Sequence, residues 1–323
     1  MKNLRLFILT NMFPSSNNQK GIFVKELVDV LKSDPCIENV KVFNIDEHYT
    51  GFKKYLFSVS SLVRAIRNED IDVINVHFGL SFIPLFFLLP YLWFNKIKVV
   101  LTLHGSDLMG NKLVNFISNL GILFSDKSII VSSGMLEYVW AFQRNNAEVI
   151  PCGINESFKF INRPEWNRSK RLNIIFPSSP YRPEKNYSLF SNVVKLLKLK
   201  NIEVKEVHFD GLDRKQILNA LSEANLLFLS SLREGSPQVV KEAVLTGLPV
   251  VSTNVGDVID ILDGISSDKA FVSSNSIDIV EWIVNHFKGS SIDINLVEKK
   301  KKKYSNIYLS KLIVDKYKEV VFK

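Results

Sequence analysis

Ser230-Ser231-Leu232-Arg233-Glu234-Gly235-Ser236-Pro237-Gln238-Val239-Val240-Lys241-Glu242-Ala243-Val244-Leu245-Thr246-Gly247-Leu248-Pro249-Val250-Val251 is the stretch that decides how the chain is read. The apolar run 226–230 that leads into it has the look of a buried strand. The loop after the strand carries Glu234 and Gly235. Ser236 suits the N-cap of a helix, and Pro237 suits its first position. Gly247 ends the helix, and Pro249 opens the next strand. Such a helix turns its unpaired amino-terminal N–H groups toward the strand end, which favours a phosphate there. Glu234 sits in the loop, and Glu242 lies about a turn and a half into the helix, ~8 Å on at 1.5 Å per residue. Carboxylates at two depths can accept hydrogen bonds from two sets of sugar hydroxyls. On local pattern alone, a plain capped helix with two surface glutamates would look the same.

The same alternation extends in both directions. Strands are expected over 5–10, 40–44, 72–77, 98–103, 128–132 and 148–150, and again over 172–176, 204–209, 226–230, 249–253 and 270–272. Helices are expected over 21–32, 55–68, 80–94, 112–124 and 134–144, then over 186–198, 214–223, 237–246, 258–263 and 277–287. A last helical stretch runs from 295 to 321. The strands read as continuous apolar runs, as strands buried on both faces do. Strand and helix in alternation imply parallel sheets covered on both sides. The polar segment 155–171, with Pro164 and no periodicity, reads as a linker. The expected division is a first domain over 1–160, a second over 161–300, and a terminal helix over 301–323 that packs back on the first domain. The fold class is α/β: two Rossmann-like doubly wound domains, with ligands bound in the cleft at the carboxyl ends of the strands.

Composition supports this reading. A chain of 323 residues, 46% of them hydrophobic, can fill two cores. Lys and Arg outnumber Asp and Glu by 41 to 33, a net charge of +8. That balance suits a nucleotide phosphate or an anionic membrane surface. The basic residues are spread out and form no nucleic-acid motif. Two cysteines, Cys36 and Cys152, make no disulfide framework and point to a reducing compartment. The amino terminus from Met1 lacks the apolar run of a signal peptide. The most apolar stretch, 80–94, is too short for a span and is interrupted by Pro84 and Pro90. It reads as a buried helix or as a patch resting on a membrane. The run Lys299–Lys303 reads as a solvated helix face or as a contact for anionic headgroups. No cluster of His, Cys, Asp or Glu has metal-ligand spacing.

The Glu234/Glu242 pair, set in Glu-Gly-Ser-Pro…Lys-Glu-Ala…Gly-Leu-Pro-Val-Val, resembles the signature of retaining glycosyltransferases of family 4, with the GT-B fold. The match continues through Ser252-Thr253-Asn254-Val255-Gly256-Asp257 and touches most of the chain. The resemblance implies that Glu234 holds hydroxyls of the transferred sugar and Glu242 the nucleotide ribose. The backbone from Gly235 through Ser236, Pro237, Gln238 and Val239 would line the diphosphate and sugar pocket. Gly21, after Phe13-Pro14 and Lys20, would let the backbone approach the donor phosphates. In Leu103-His104-Gly105-Ser106-Asp107, His104 is implied to contact the reacting sugar or the acceptor. Asp107 orients His104, caps the turn or meets the acceptor. Lys185 matches the lysine that the family places on the diphosphate. The family's arginine is displaced: Arg182 stands only three residues before Lys185, on a rebuilt loop or simply on the surface. Ile150-Pro151-Cys152-Gly153-Ile154-Asn155 resembles the family's junction segment but departs from it at Cys152 and Asn155. The second domain also reads as shorter than the family's by one βα unit.

The activity implied is transfer of a sugar, with retention and without a metal or other cofactor, from a nucleotide-sugar donor, UDP before GDP. The implied acceptor is a saccharide or polyprenyl-linked saccharide of bacterial surface polysaccharide synthesis, at the inner face of the plasma membrane. A sugar-nucleotide 2-epimerase and a non-catalytic GT-B subunit share the fold and are the competing readings.

Overall fold

The computed structural model describes residues 3–15, 20–47 and 51–322. Met1, Lys2 and Lys323, at the two ends of the sequence readings, lie outside them. The chain forms two compact units, Met1–Gly153 with Asn306–Lys323, and Ile154–Ser305.

The first unit is built on six parallel strands: β1 (Leu4–Thr10), β2 (Ile37–Asn44), β3 (Val73–His77), β4 (Lys98–Leu103), β5 (Lys127–Ile130) and β6 (Ala147–Val149). Their order is β2-β1-β3-β4-β5-β6, so the sheet reverses direction of growth between β1 and β3. Around it lie α1 (Ile22–Leu31), α2 (Lys54–Arg67), α3 (Ile83–Phe86), α4 (Leu89–Phe94), α5 (Ser106–Met109) and α6 (Lys112–Phe124). Alternate residues of β1 feed opposite cores. Leu6 and Ile8 join Val24 and Val28 of α1, while Phe7 and Leu9 join Leu62 and Ile66 of α2. Burial on both faces is why these strands lack a polar alternation.

The second unit repeats the plan with five parallel strands: β7 (Leu172–Phe176), β8 (Val204–His208), β9 (Leu226–Leu229), β10 (Val250–Ser252) and β11 (Ala270–Val272). Their order is β11-β10-β9-β7-β8, with the reversal between β7 and β9. Its helices are α7 (Tyr187–Leu199), α8 (Arg214–Glu223), α9 (Gln238–Leu245), α10 (Val258–Leu262), α11 (Ser276–Asn285) and α12 (Ile294–Tyr304). One face of the sheet packs on α7 and α11 through Phe190, Val194, Ile279 and Ile283. The other packs on α9 and α12 through Val240, Val244, Val297 and Tyr304.

The last helical stretch is two helices. α12 stays with the second unit, and α13 (Asn306–Phe322) belongs to the first, where Leu309, Ile313, Val314 and Tyr317 are buried beside α1. The break falls at Ser305, where the Tyr304 carbonyl accepts from Ile154 N (2.8 Å). Burying Leu309, Ile313 and Val314 contributes roughly 1.5–3 kcal/mol each. The units therefore divide after Gly153 and again after Ser305, not after residues 160 and 300.

Four further expectations are corrected. Segment 155–171 is not a bare linker. Phe158 is buried in the second core, and Arg163 donates to the carbonyls of Leu221 (2.6 Å), Ile161 (3.1 Å) and Thr246. Its guanidinium closes the carboxyl ends of α8 and α9, and burial lowers its pKa to about 10. The helix expected over 134–144 is two 3-10 segments, Ser133–Tyr138 and Ala141–Asn146. Side chains of α6 compete there. Asn115 and Asn119 donate to the Tyr138 carbonyl, and Asn119 Oδ1 accepts from Trp140 N. Region 80–94 is also divided, because Pro84 and Pro90 each supply no N–H and each start a new short helix. Lys299–Lys303 is likewise no uniform solvated face: Lys300 is buried and donates to the Asp260 carbonyl (3.1 Å).

Candidate functional site

In the second unit the reversal between β7 and β9 brings two loops side by side, the place where open α/β sheets bind ligands. The loop after β7 carries Arg182 and Lys185, and the loop after β9 carries Glu234. Backbone contacts join them: Leu232 N donates to the Glu184 carbonyl (2.9 Å). Ser230 Oγ donates to the carbonyls of Lys185 (2.9 Å) and Asn186 (3.1 Å), holding the turn that starts α7. Lys185 Nζ then meets Glu234 Oε1 at 2.6 Å, and Ser231 Oγ donates to the same oxygen at 2.7 Å. Both charged side chains are largely, but not wholly, buried. An ammonium and a carboxylate are thus set together at the strand ends, within reach of a ligand.

Arg182 does not join that pair. It is exposed and binds Glu184 Oε1 at 2.6–2.8 Å, as a surface residue would. Ser236 is not the N-cap, and Pro237 is not the first helical residue. α9 begins at Gln238, with Pro237 in the cap position and no side-chain cap. The Ser236 hydroxyl is engaged elsewhere, donating to Asp257 Oδ2 (2.7 Å) and accepting from Lys241 Nζ. Gly235, Ser236 and Pro237 are buried, and Gln238 and Val239 are half-buried at the amino end of α9.

Two ionic contacts under this loop were not visible in the sequence. Glu242, almost fully buried, is held by Arg214 of α8, whose guanidinium also lies over the Phe158 ring at 5.0 Å. Lys241, wholly buried, lies 3.6 Å from Asp257 Oδ2 and 5.0 Å from the Tyr304 ring. Burial raises the Asp257 pKa against the pull of Lys241, and Asp257 Oδ1 is buried with no hydrogen-bond partner. The spacing of Glu234 and Glu242 was the only signal, and it named the carboxylates without their cations.

In the first unit Gly21 caps α1 with φ 77°, and a Cβ there would lie 2.2 Å from the Met12 carbonyl oxygen. The chain's own backbone thus requires this glycine, whatever else approaches it. Asp107 is buried, and its carboxylate accepts from the backbone N–H of His104 (2.9 Å) and Gly105 (2.8 Å). These bonds cap the turn after β4 and hold the His104 backbone. Burial nevertheless raises its pKa.

His104 has both ring nitrogens directed at protein atoms. Nε2 is 3.0 Å from His77 Nδ1, and Nδ1 is 3.6 Å from Cys152 Sγ. Phe23 and Phe78 pack against its ring at 4.8 and 4.7 Å. Burial lowers the pKa of His77 to about 3. Burial, together with His77, holds that of His104 well below the usual imidazole value. Both rings are neutral at pH 7. His104 therefore sits as one member of an imidazole pair. His77 was read only as the end of a strand.

Comparisons with known proteins agree with this architecture. Residues 28–158 match the model described as Glycosyltransferase Family 4, and residues 173–285 match that of Glycosyl transferases group 1. The N-acetyl-alpha-D-glucosaminyl L-malate synthase of Bacillus anthracis is 20% identical, over 81% of this chain and 77% of its own. An uncharacterized glycosyltransferase of Methanocaldococcus jannaschii is 26% identical, over 81% and 82%. Among solved structures, sucrose-phosphate synthase of Thermosynechococcus elongatus superposes with a TM-score of 0.71 at 13% identity, covering 99% of both chains. HepE of Anabaena, in complex with UDP and glucose, superposes at 0.69 and 13%, covering 98% of this chain and 100% of its own. Starch synthase IV of Arabidopsis thaliana, bound to ADP and acarbose, superposes at 0.67 and 12%, covering both chains fully at 100%.

Proposed function

We propose, for a chain that belongs to the family 4, group 1 glycosyltransferases and so is an enzyme that transfers sugars, that the second unit holds a nucleoside diphosphate sugar and that transfer proceeds with retention. The observation that carries this reading is the Lys185–Glu234 pair at the strand reversal. Lys185 would exchange its carboxylate partner for the donor diphosphate, and Glu234 would turn to hydroxyls of the sugar. Glu242, fixed by Arg214, would hold the ribose. The amino end of α9 adds backbone N–H groups for the phosphates.

In the proposed reaction the bond from the anomeric carbon to the diphosphate oxygen breaks, and the diphosphate leaves with the electron pair. The acceptor oxygen bonds to the same face of the sugar and passes its proton to the departing phosphate oxygen. Lys185 and the helix N–H groups stabilise the charge that builds on that phosphate. No proton is routed through His104, because its nitrogens face His77 and Cys152. Lys185 and backbone amides supply the charge stabilisation, so the scheme needs neither a metal nor another cofactor. The acceptor falls to the first unit. A polyprenyl-linked saccharide at the inner face of a membrane, within bacterial surface polysaccharide synthesis, suits the basic charge of the chain.

The test is thermal unfolding with UDP, GDP, ADP and CMP, each with and without chelator. A ligand at 100 times its Kd stabilises by ~2.7 kcal/mol, or on the order of 5–10 °C for units of this size. The expected result is a shift with UDP that survives the chelator. A shift with another diphosphate would replace the donor, one abolished by chelator would replace the phosphate scheme, and none with any nucleotide would remove the donor reading.

A further inference from the structure

Helix α6 is amphipathic in the wrong sense for a soluble protein. At 3.6 residues per turn, Leu113, Phe116, Leu120, Leu123 and Phe124 fall within an arc of about 100°. That arc faces outward, and all of these but the half-buried Leu120 are roughly half exposed or more. The opposite side, turned to the sheet, carries Ser118, Asn119 and Gly121, with Ile122 as its one fully buried large apolar side chain. The inner face is small because the helix docks closely: a Cβ on Gly121 would lie 2.9 Å from Leu101 and 3.2 Å from the Phe82 ring. Close docking explains the small inner face, and the large residues of the outer face stay about half exposed.

The apolar face continues beyond the helix at both ends. At one end Phe124 meets Phe86 edge-on at 5.8 Å. There Leu123 and Phe124 share a groove of about 520 Å³ with Trp93, Lys96 and Lys98. Trp93 and its neighbour Phe94 are 84% and 81% exposed. At the other end Phe116 packs on Trp140 at 5.7 Å, and Trp140 on Phe142 at 5.9 Å, with Phe142 73% exposed. α6 contains no acidic residue. Exposed cations lie near the face at Lys96, Lys112 and Arg144, and Lys98 lies there paired with Asp126. Glu137 is the exposed carboxylate of the adjoining 3-10 segment.

We propose that the outer face of α6, with α4 and the Trp140–Phe142 corner, is a docking surface for an anionic lipid bilayer. Aromatic side chains that protrude suit the fluid boundary of headgroups and acyl chains. The cations near them meet the negative surface potential. No helix among the described residues is long and apolar enough to cross a membrane, so the chain would rest on it. This deepens the proposed lipid-linked acceptor and is independent of the donor chemistry.

The test is sedimentation of the full chain with phosphatidylcholine vesicles, with and without phosphatidylglycerol, beside sedimentation velocity without lipid. Expected is binding to the phosphatidylglycerol vesicles that weakens with salt. Trp93→Ser with Phe94→Ser should lower that partition about tenfold or more, and Phe116→Ser with Leu123→Ser should do the same. All four side chains are exposed, so unfolding temperature and nucleotide response should stay those of the wild type. No binding to anionic vesicles, or binding that both pairs leave intact, overturns the proposal. So does a dimer that the Phe116→Ser, Leu123→Ser variant dissociates, since the face would then belong to a second copy. Vesicle binding without a nucleotide shift would sink the donor reading and leave this surface standing.

Discussion

The two units share one architecture and have opposite electrostatics where their loops gather. The second unit sets full charges in pairs: Lys185 with Glu234, Arg214 with Glu242, and Lys241 with Asp257. The first keeps its imidazoles neutral, His77 against His104, ringed by Phe23 and Phe78, with Asp107 turned to backbone amides. Paired charges that retain some exposure can trade a partner for a phosphate. A neutral, aromatic-lined pair has no charge to trade. The same strand plan thus sets ion pairs in one unit and an uncharged imidazole pair in the other.

The comparison breaks hardest at Lys241. Removing one member of a buried pair strands the other, so Lys241→Met should cost about 3–5 kcal/mol of stability. Adding Asp257→Leu should recover most of that, as measured by urea unfolding. A small loss in the single variant would mean that Asp257 is already protonated and the pair is not ionic. Next come the exposed-edge charges: Lys185→Ala and Glu234→Ala should each cut turnover by ~10²–10³ with the fold intact. Near-normal rates in either would take that residue out of the chemistry.

The smallest effect concerns acid. His77 is neutral in the fold, with its pKa moved from 6.5 to about 3. The unfolded chain therefore binds a proton that the folded one refuses. The resulting stability is fully present above 6.5 and is lost as pH falls toward 3. At pH 5 the loss from His77 is about 2 kcal/mol. Asp107, raised by burial, works in the opposite sense, so the His77→Gln variant isolates the imidazole part. It should unfold with a shallower pH dependence than the wild type. An unchanged slope would mean that the ring is charged in the fold.

Much of the fold was legible because it is local. Leu6–Leu9, Ile74–Val76 and Leu226–Leu229 announce buried strands by composition, and Gly247 marks a boundary by geometry. The misreadings came where a distant group overrode local preference. Ser236 left the cap for Asp257, 21 residues on. Residues 134–144 gave up helical bonds to Asn115 and Asn119 of a preceding helix. Ser305 split a continuous helical pattern because its two halves serve different units.

The sequence by itself determined that there are two parallel-sheet units, and it placed Lys185, Glu234 and Glu242 on the loops and helix that end at the strand tips. Periodicity and spacing depend on neighbours within a turn or a strand, so they survive in one dimension. Only the tertiary structure decided which cation each carboxylate meets, that both nitrogens of His104 are taken, and that α6 turns its leucines and phenylalanines outward. Those outcomes depend on the order of parallel strands and on the rotation of each helix on its sheet. Contacts between residues far apart in the chain set both, and no window of sequence records them.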